Sequence, residues 1–520
     1  MNFKHSFTHS LSSFGVLALA ASLASLTFAS ACDDSDTANG DPDDAAGHAG
    51  VSHAGAGGSS GHSNGGSAGV ELGEAGLGGV PDTGGSSGNE QSQGGEGGEA
   101  GAPEAPPIGV NRPERRDFSA ALLAQLRVKP GFQVSVFGSA VSGARMLALG
   151  PTGDIYVTRP ATSEVTRLTD TNHDGDVDDV GERVTVASAQ STPTLENVHG
   201  LFFDGTKVYL ASTKSVVVGN VAADGAFSGL TPIVTDLPDG GQHPYRTIAV
   251  GTDGLIYVSV GSDCNACAES NSEHATMLRL NADGSAADNP TNTAHPMSAH
   301  NPLSKISNRV WASGLRNTIG FDWNPVSGAL WGVDQGSDGL GEDVPPEEFN
   351  VLMGGRSYGW PYCWGDRNPD PTADDPSQTV SKEEYCQTTA AAQGGLPAHS
   401  SPIAFKFYHG GEYPAQYTND AFLVLRGSWG RLVPDGYKVV RVHFENGQLA
   451  NLPGLNVPYE DFLSGFLIEQ GQAHFGRVAG LTFDATGALL ISDDTNGMLY
   501  RVSYVGTGDP GAGGAGGSGG

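Results

Sequence analysis

The sequence predicts an all-β fold, a six-bladed β-propeller preceded by a disordered acidic tether rich in Gly and Ser. Three observations predict it. A phrase of two short apolar strands around a Gly-containing turn recurs along the chain, its copies lie about 50 to 70 residues apart, and no long stretch shows the 3.6-residue period of a helix. Repeated hairpins at this spacing are typical of propeller blades, which are four-stranded sheets. Two β-sandwiches in series are the alternative.

Composition excludes one class of partner. The 520 residues include 58 acidic and 27 basic side chains, which gives a formal net charge of -31. The sequence has no cluster of Lys and Arg that would neutralise a phosphate backbone, so nucleic acid is excluded as a partner. The same charge argues against adsorption to anionic membrane surfaces.

Residues 1–31 have the layout of a bacterial export signal. Lys4 lies near the start, an apolar stretch runs from Val16 to Phe28, and small residues lead up to Cys32. The apolar stretch is too short for a transmembrane helix. Ala29–Cys32 is similar to a lipobox, in which the cysteine is diacylated; an ordinary cleavage site with a free cysteine behind it is the alternative. We therefore expect an exported lipoprotein of the periplasm or cell surface, membrane-anchored through Cys32.

Residues 32–107 form the predicted tether. From Asp33 to Pro107 the sequence has no Lys, no Arg and no aromatic residue, and it holds 13 of the acidic side chains. Such a segment cannot bury enough apolar surface to offset the entropy of ordering it. Residues 506–520 form a second, Gly-rich tail, which leaves residues 108–505 for the propeller.

The recurring phrase defines the predicted blades. Its three clear copies are Leu147–Val157, Ile248–Val258 and Leu481–Ile491. Looser copies lie at Leu201–Ala211 and Gly320–Val333. Each places Asp or Thr with Gly between two apolar strands, which is a hairpin signal. Together with the strands between residues 421 and 444, these copies favour six blades.

Several of these segments resemble a known family, the glucose/sorbosone dehydrogenases. The resemblance rests on Gly241–Ser262, Ala312–Asn317 and Tyr358–Pro361, and the sorbosone or pyranose dehydrogenase-like branch also shares Gly427–Trp429, Gly436–Arg441 and Ser492–Asp494. The match covers most of residues 125–505 in the same order. It implies a six-bladed propeller that binds pyrroloquinoline quinone (PQQ) and Ca2+ and oxidises an aldose or a related sugar aldehyde.

The reaction that the resemblance implies needs a base. Oxidation at the anomeric carbon removes a hydroxyl proton while hydride leaves, and a neutral imidazole suits that proton transfer near pH 7. His243 is the candidate, since it lies in a loop before a core strand. In relatives an Asp that orients this histidine stands where Ser262 stands here. Asp263 is the alternative orienting residue if the loop shifts by one position.

Isolated arginines are the predicted cofactor ligands, because guanidinium binds carboxylates bidentately and PQQ has three of them. The resemblance implies that Arg316 and Asn317 contact the quinone oxygens. It places Arg426 and Arg477 at cofactor-binding positions, with Gln335, His199 and Arg246 as further candidates for the same pocket.

Calcium is predicted at three places. The resemblance implies that backbone carbonyls of Gly336 and Ser337 hold the cofactor's calcium, and that Glu342 and Asp343 form the acidic pair of a second, structural calcium site. A third candidate is an EF-hand-like loop, with Gly175 at its bend and oxygen ligands at alternate positions. The candidate ligands of this loop are Asp170, Asn172, Asp174, Asp176, Asp178 and Glu182. An acidic turn without an ion is the alternative.

Four cysteines follow Cys32. An even number in an exported chain predicts disulfides, most simply Cys264 with Cys267 and Cys363 with Cys386, although three connectivities are open. A zinc site is a minor alternative. No Cys-x-x-Cys-His haem-attachment motif is present, so the electrons of the predicted reaction must pass to an external acceptor, a cytochrome or a quinone.

Two functions follow from these observations. The first is a lipid-anchored, PQQ- and calcium-dependent sugar dehydrogenase that passes electrons to an external acceptor. The second is a catalytically inactive cell-surface propeller that binds glycans or proteins. Propellers host both roles, so the fold alone does not separate them. The cluster of His243 and the arginines favours the enzyme, whereas Ser262 and Ser337 favour the inactive binder.

Overall fold

The computed structural model describes residues 112–291, 306–428, 431–450 and 456–506. The predicted signal segment, the tether with Cys32, Trp429 and the tail from residue 507 lie outside these described residues. The described residues include two short helices, α1 (Ala120–Leu123) and α2 (Lys382–Cys386), with 3-10 turns at Pro160–Thr162, Pro193–Leu195, Ala415–Tyr417 and Glu469–Gly471. Within the described ranges, no helix has both the length and the apolar character needed to span a bilayer.

Strands make up nearly all of the regular structure, which confirms the predicted all-β class. In chain order they are β1 (Glu114–Arg115), β2 (Arg127–Val128), β3 (Phe132–Gly138), β4 (Leu147–Leu149), β5 (Ile155–Arg159), β6 (Glu164–Leu168), β7 (Arg183–Ser188), β8 (Gly200–Asp204), β9 (Lys207–Ala211), β10 (Val216–Val221), β11 (Phe227–Val234), β12 (Ile248–Val250), β13 (Ile256–Val260), β14 (Thr276–Leu280), β15 (Val310–Ser313), β16 (Thr318–Trp323), β17 (Leu330–Asp334), β18 (Glu347–Leu352), β19 (Cys363–Trp364), β20 (Asn368–Pro369), β21 (Gly394–Leu396), β22 (Pro402–Phe407), β23 (Ala421–Leu425), β24 (Lys438–Val442), β25 (Phe444–Glu445), β26 (Gln448–Leu449), β27 (Tyr459–Ser464), β28 (Leu467–Ile468), β29 (Ala473–His474), β30 (Val478–Phe483), β31 (Leu489–Asp493) and β32 (Met498–Tyr504).

The described strands include six larger antiparallel sheets. We number them along the chain: sheet 1 (β4 to β7), sheet 2 (β8 to β11), sheet 3 (β12 to β15), sheet 4 (β16, β17, β18, β21), sheet 5 (β22, β23, β24, β27, β2) and sheet 6 (β30, β31, β32, β3). In sheet 6 the early strand β3 pairs with the last strand β32, with Phe132 opposite Tyr504. This pairing joins the two ends of the described fold.

The first strands of successive sheets contact each other in a closed cycle. β4 contacts β8, β8 contacts β12, β16 contacts β22, β22 contacts β30, and β30 returns to β4, while sheet 3 reaches sheet 4 through β13. Apolar side chains fill the space between neighbouring sheets; Phe132 and Phe422 both pack on Phe462, with ring centroids 5.0 and 4.8 Å away. Sheets that meet through their first strands around a common centre form a β-propeller.

The recurring phrase folds as predicted. In all three clear copies the first residue pairs with the eleventh: Leu147 with Val157, Ile248 with Val258, and Leu481 with Ile491. The turn glycines Gly153, Gly254 and Gly487 have φ values of 89°, 74° and 91°. Side chains other than Gly rarely adopt such angles, so the glycine of each phrase fixes its hairpin turn.

One edge of the sheets collects the functional loops. In an antiparallel hairpin the start of the first strand and the end of the second lie at the same edge. Arg316 and Asn317 precede β16 and Gln335 follows β17, while Arg426 follows β23 and Arg477 precedes β30. Residues far apart in the chain therefore face one another at a common end of the propeller.

Candidate active site

Six of the predicted residues line one cleft at this edge. The lining consists of His243, Arg316, Gln335, Gly336, Arg426 and Arg477, together with Asp338, Glu347, His399 and Ser401. The residues come from the loops of sheets 3 to 6 and, for Glu347, from the first position of β18. The structure thus brings together the predicted base, three predicted cofactor arginines and one predicted calcium ligand.

His243 is held in one orientation by Ser262. Its Nδ1 lies 2.9 Å from Ser262 Oγ and 3.1 Å from the Ser262 carbonyl oxygen. The Ser262 hydroxyl donates to the Cys264 carbonyl at 2.7 Å, so its oxygen accepts the Nδ1 proton. This hydrogen-bond chain leaves the Nε2 lone pair of His243 available as a base. Of the two residues that the sequence left open, Ser262 and Asp263, it is Ser262 that orients His243.

His243 is neutral at physiological pH. Burial, together with the positive charge of Arg316, lowers the pKa of its imidazole to about 3. Only 6% of the residue is exposed. A neutral imidazole that points into a cleft can accept a proton from a bound hydroxyl group.

Gly261 makes room for this arrangement, and a substitution there tests it. A Cβ atom at this position would lie 2.5 Å from His243 Cβ and 2.8 Å from Asn317 Oδ1. We expect Gly261→Ala to displace His243, to lower sugar-dependent turnover at least about tenfold and to cost about 1–3 kcal/mol of stability through overpacking. Dye-reduction kinetics and thermal unfolding of the purified variant measure both effects. Wild-type turnover in this variant would show that the His243 position tolerates displacement.

Arg316 and Asn317 are fixed through their backbones by a buried carboxylate. Asp334, the last residue of β17, accepts from the Arg316 and Asn317 amides at 2.9 Å each and from Thr318 Oγ1 at 2.7 Å. The Arg316 side chain donates to Asn265 and lies 3.2 Å from Asp338. Backbone anchoring of this kind sets the side-chain positions before any ligand binds.

In sheet 6, too, a buried carboxylate at the end of a strand holds the backbone of an arginine. Asp493, the last residue of β31, accepts from the Arg477 amide at 2.9 Å. The guanidinium of Arg477 donates to the Gly427 carbonyl at 3.2 Å. Arg426 lies beside it on the lining and is paired with Asp494 at 3.1 Å. Two neighbouring sheets thus present two buried guanidinium groups to the cleft.

Gln335 and Gly336 form a further part of the cleft lining. Asn317 donates to Gln335 Oε1 at 2.7 Å, and the Gly336 amide donates to Glu347 at 2.7 Å. Ser337 does not line the cleft; its hydroxyl contacts Asn265 and Trp360. In the described part of the chain, no hydrogen bond is made to the carbonyl oxygens of Gly336 or Ser337.

Asp338, Glu347, His399 and Ser401 were not predicted. Asp338 pairs with His399 at 3.5 Å; burial opposes charge on both groups, but their interaction lowers the pKa of Asp338 and raises that of His399. Burial raises the pKa of Glu347 to about 7. The position of Asp338 just after Gln335–Ser337 was the one available sequence signal.

His199 and Arg246 do not line the cleft. Arg246 is fully buried under the His243 loop and donates to the carbonyls of His243 at 2.7 Å and of Pro238 and Asp239 at 3.1 Å each. His199 stacks on Tyr245 with ring centroids 4.7 Å apart, and its Nδ1 faces the Arg246 carbonyl at 3.1 Å. Both residues support the loop of the candidate base from below.

The buried neutral histidines predict acid sensitivity. Burial lowers the pKa values of His199 and His243 to about 3 and that of His474 to about 4, against 6.5 in the unfolded chain. At these three histidines the unfolded state binds more protons between these values, so their contribution to stability is full above about pH 6.5 and falls as pH drops towards 3, by up to about 1.4 kcal/mol per pH unit for each histidine. We expect His199→Asn to reduce the slope of unfolding free energy against pH. An unchanged slope in denaturant titrations from pH 7 to pH 4.5 would remove His199 as a contributor.

The other two predicted calcium sites have different surroundings. Asp343 is exposed and pairs with Arg431 at 2.9 Å, while Glu342 accepts from the Val433 amide at 3.1 Å. A cationic side chain therefore already lies beside this acidic pair. A structural calcium at these residues stays a prediction.

The acidic loop turns its side chains inward, as the spacing predicts. Carboxylate or amide oxygens of the predicted ligands accept from backbone amides of the loop: those of Asp170, Asn172, Asp174, Asp176 and Glu182. Asp178 instead binds Ser139. Mutual repulsion adds to the effect of burial and raises the pKa of Asp176. The loop thus holds its own shape through backbone hydrogen bonds, and bound calcium there stays a prediction.

Both predicted disulfides are present. Cys264 bonds to Cys267 in the loop that follows Ser262, and Cys363 bonds to Cys386 at the end of α2. The first bridge closes the loop that contains the Cys264 carbonyl, and this carbonyl accepts the hydrogen bond of the Ser262 hydroxyl. It therefore belongs to the support of His243, and the zinc alternative at these cysteines is excluded.

These observations define a class of protein: a β-propeller with an arginine-lined cleft built around a buried neutral histidine. The chain belongs to the TrAA12-like family, whose model matches residues 126–505. The predicted relationship to PQQ-dependent sugar dehydrogenases is confirmed. A relative from Hypocrea jecorina, named as a pyrroloquinoline quinone-dependent sugar dehydrogenase, is 24% identical over 410 residues that cover 71% of this chain and 87% of the relative.

The chain is also similar to a second relative and to a solved structure. An uncharacterised protein of Borreliella burgdorferi is 32% identical over 196 residues, which cover 38% of this chain and only 48% of that relative. The calcium structure of Trichoderma reesei carbohydrate-active enzyme family AA12 shares the fold with a TM-score of 0.58 at 21% identity, over 76% of this chain and 98% of the other.

Proposed function

We propose that this protein is a PQQ- and calcium-dependent sugar dehydrogenase that oxidises an aldose or a sugar aldehyde of the sorbosone or pyranose type. One observation carries the proposal: the oriented, neutral imidazole of His243 shares a cleft with three buried guanidinium groups. A base next to an anion-binding wall is the arrangement that such an oxidation needs. Membership in a family with a relative of that name supports it.

The charges of the cleft favour a ligand with several carboxylates, such as PQQ. Arg316, Arg426 and Arg477 are 3%, 2% and 8% exposed, so their charges act in a medium that screens them weakly. Against them stand Asp338 and Glu347, while Asp494 is shared by Arg426 and the buried Arg145. The pKa of about 7 keeps Glu347 partly protonated at neutral pH. The arginines on the lining would bind the carboxylates of PQQ. This positive excess is local, since the whole chain is strongly acidic.

The carbonyl oxygens of Gly336 and Ser337 would hold the calcium ion of the cofactor. Calcium takes oxygen ligands at 2.3–2.6 Å, and carbonyls without a hydrogen bond are suited to that role. Glu347 binds the Gly336 amide and the Ser401 amide at 2.7 and 2.9 Å, which fixes the segment that presents these carbonyls.

The chain's own residues would act as follows. His243 Nε2 accepts the proton of the substrate hydroxyl, while Ser262 keeps the ring in place through Nδ1. The arginine wall and Asn317 hold the cofactor in position. When bound, PQQ supplies the two-electron acceptor for the hydride that leaves the substrate carbon. The products would be the oxidised sugar, the cofactor reduced by two electrons and one proton on His243, which returns to solvent.

Three finer features belong to the same proposal. The six larger sheets would be the six blades of the propeller. Residues 1–31 would direct export, and lipidation of Cys32 would anchor the chain to a membrane through the tether of residues 32–107. The electrons would pass to an external acceptor, a cytochrome or a quinone. Metabolic labelling with a radioactive fatty acid tests the anchor, and label that persists in Cys32→Ser would exclude it.

One experiment tests the function. The purified full chain is titrated with PQQ in the presence of Ca2+, and dye reduction is then followed across aldoses, 2-keto sugars and sugar aldehydes. Tight binding with turnover supports the dehydrogenase and identifies its substrate class. Absence of binding would overturn the proposal in favour of a catalytically inactive propeller that binds glycans or proteins.

A further inference from the structure

A second group of ligand-type side chains lies beside the cleft, outside the candidate active site. Asp239, Asp263 and His274 each place one ligand atom within 4.8 Å of the other two. His274 Nε2 lies 3.8 Å from Asp239 Oδ1. Asp239 lies in the segment that leads to His243, Asp263 directly follows Ser262, and His274 precedes β14. Two segments therefore meet at this group: the one that joins β11 to β12 and the loop between β13 and β14.

His274 has a fixed orientation towards the two carboxylates. It is only 4% exposed, and its Nδ1 lies 2.9 Å from the Gly261 carbonyl oxygen. A carbonyl can only accept, so the Nδ1 atom bears a proton. The ring therefore turns Nε2 towards Asp239 and Asp263. Among the described residues, this Nε2 atom makes no hydrogen bond.

The two carboxylates are likewise uncommitted and open to solvent. Both aspartates are exposed, and neither side chain makes a hydrogen bond within the part of the chain that the structure describes. Their backbones are nevertheless fixed: the Asp239 carbonyl accepts from Arg246 at 3.1 Å, and the Asp263 amide donates to Glu269 at 2.8 Å. The positions of the side chains are thus defined while their oxygens remain available to an ion from solution.

We propose that Asp239, Asp263 and His274 form a binding site for a divalent transition-metal ion of the zinc class. One imidazole nitrogen and two carboxylate oxygens suit such an ion, which binds these atoms at about 2.0–2.2 Å and completes its shell with water. Tetrahedral bonds of that length separate ligand atoms by about 3.3–3.6 Å, so separations of at most 4.8 Å need to shorten by no more than about 1.5 Å. Calcium is disfavoured, because it prefers six to eight oxygen ligands.

The ion would act as a clamp on the base. It would join the segment of His243 to the segment of Ser262, the two partners whose hydrogen bond orients the imidazole. The space at this junction is already small, since a Cβ atom on Gly241 would lie 2.5 Å from Asp263 Cα. The site is independent of the cofactor, so it can be tested in protein without PQQ.

The test is calorimetric titration of Zn2+ into the chelator-treated full chain, with Ca2+ in excess to fill sites for hard cations. Asp239→Asn and Asp263→Asn remove one ligand each from exposed positions, where a folding defect is not expected. Asp236→Asn is the matched control, because it changes the same charge on an equally exposed residue of the same segment. We expect the wild type and the control to bind one more zinc equivalent than either ligand variant, or to bind it at least tenfold more tightly.

Cobalt gives a second readout. Co2+ bound by an imidazole and carboxylates at low coordination number has visible absorption bands, which should appear in the wild type and in Asp236→Asn and be absent from both ligand variants. Equal zinc stoichiometry and affinity in all four proteins would overturn the proposal. Failure of the wild type to bind zinc would do the same.

Discussion

Replacement of His243 by alanine is expected to abolish sugar-dependent dye reduction, with kcat lower by about 10²- to 10⁴-fold. The imidazole supplies the oriented Nε2 lone pair in the cleft, and Ser262 fixes it through the Nδ1 proton. PQQ affinity should change by no more than a few-fold, because the three arginines of the lining remain. Steady-state kinetics with saturating cofactor and a cofactor-binding isotherm on the same preparation separate the two effects.

Ser262→Ala provides the graded control for this experiment. It removes the hydroxyl acceptor at 2.9 Å but keeps the Ser262 carbonyl at 3.1 Å from His243 Nδ1. A loss of about tenfold in kcat, smaller than that of His243→Ala, is expected for a weaker hold on the ring. Turnover that is unchanged in His243→Ala excludes His243 as the base.

The pH profile gives an independent check. Because burial holds the pKa of His243 at about 3, the imidazole keeps its neutral form throughout the range from pH 5 to pH 8. We therefore expect the wild-type kcat/KM to show no decrease between pH 8 and pH 5 that comes from protonation of His243. An acid limb near pH 6.5 that is assigned to His243 would contradict the burial of this side chain.

The hairpins could be predicted from the sequence because their determinants are local. Apolar alternation and a glycine with positive φ lie within eleven residues of each other, and all three clear copies show the same register. The pairing of β3 with β32 had no such signal. It joins strands more than 350 residues apart in sequence, and only the closed cycle of sheets determines it.

The candidate site was predictable where strand ends fix it. Arg316 and Arg477 each precede a first strand whose register a buried Asp sets, so their placement follows from the hairpin. Asp338 and His399 escaped prediction because they come from loops of different sheets and are identified by their contact with each other. Arg246 has the right position in the sequence, but three carbonyl groups turn its side chain inward, which only tertiary packing decides.

The direction of a loop side chain is thus the part of the site that sequence patterns determine least. Asp263 illustrates it: the residue is adjacent to Ser262, yet its carboxylate faces His274 rather than His243. A shift of one residue along an extended segment reverses the side on which the side chain lies. Ser262 therefore faces His243 and orients the base, whereas Asp263 faces the other side, where we propose a metal site.

Arg477→Gln is expected to weaken PQQ binding about 10- to 150-fold, which corresponds to the 1.5–3 kcal/mol typical of a hydrogen bond to a charged group. Arg477 is 8% exposed, so its charge faces the cleft with little solvent screening. Its position does not depend on its side chain, because Asp493 holds the backbone amide at 2.9 Å. The variant should therefore fold normally, and kcat at saturating PQQ should stay close to that of the wild type.

Arg501→Gln is the matched control for this prediction. Arg501 lies on β32 of the same sheet, and its guanidinium pairs with Asp484 at 2.8 Å instead of lining the cleft. The isotherm of this control should match the wild type, since the pair is partly solvated and contributes at most about 1 kcal/mol to stability. If Arg477→Gln also binds PQQ with wild-type affinity, Arg477 does not hold a carboxylate of the cofactor. A loss in kcat instead of affinity would place its charge at the reacting end of the site.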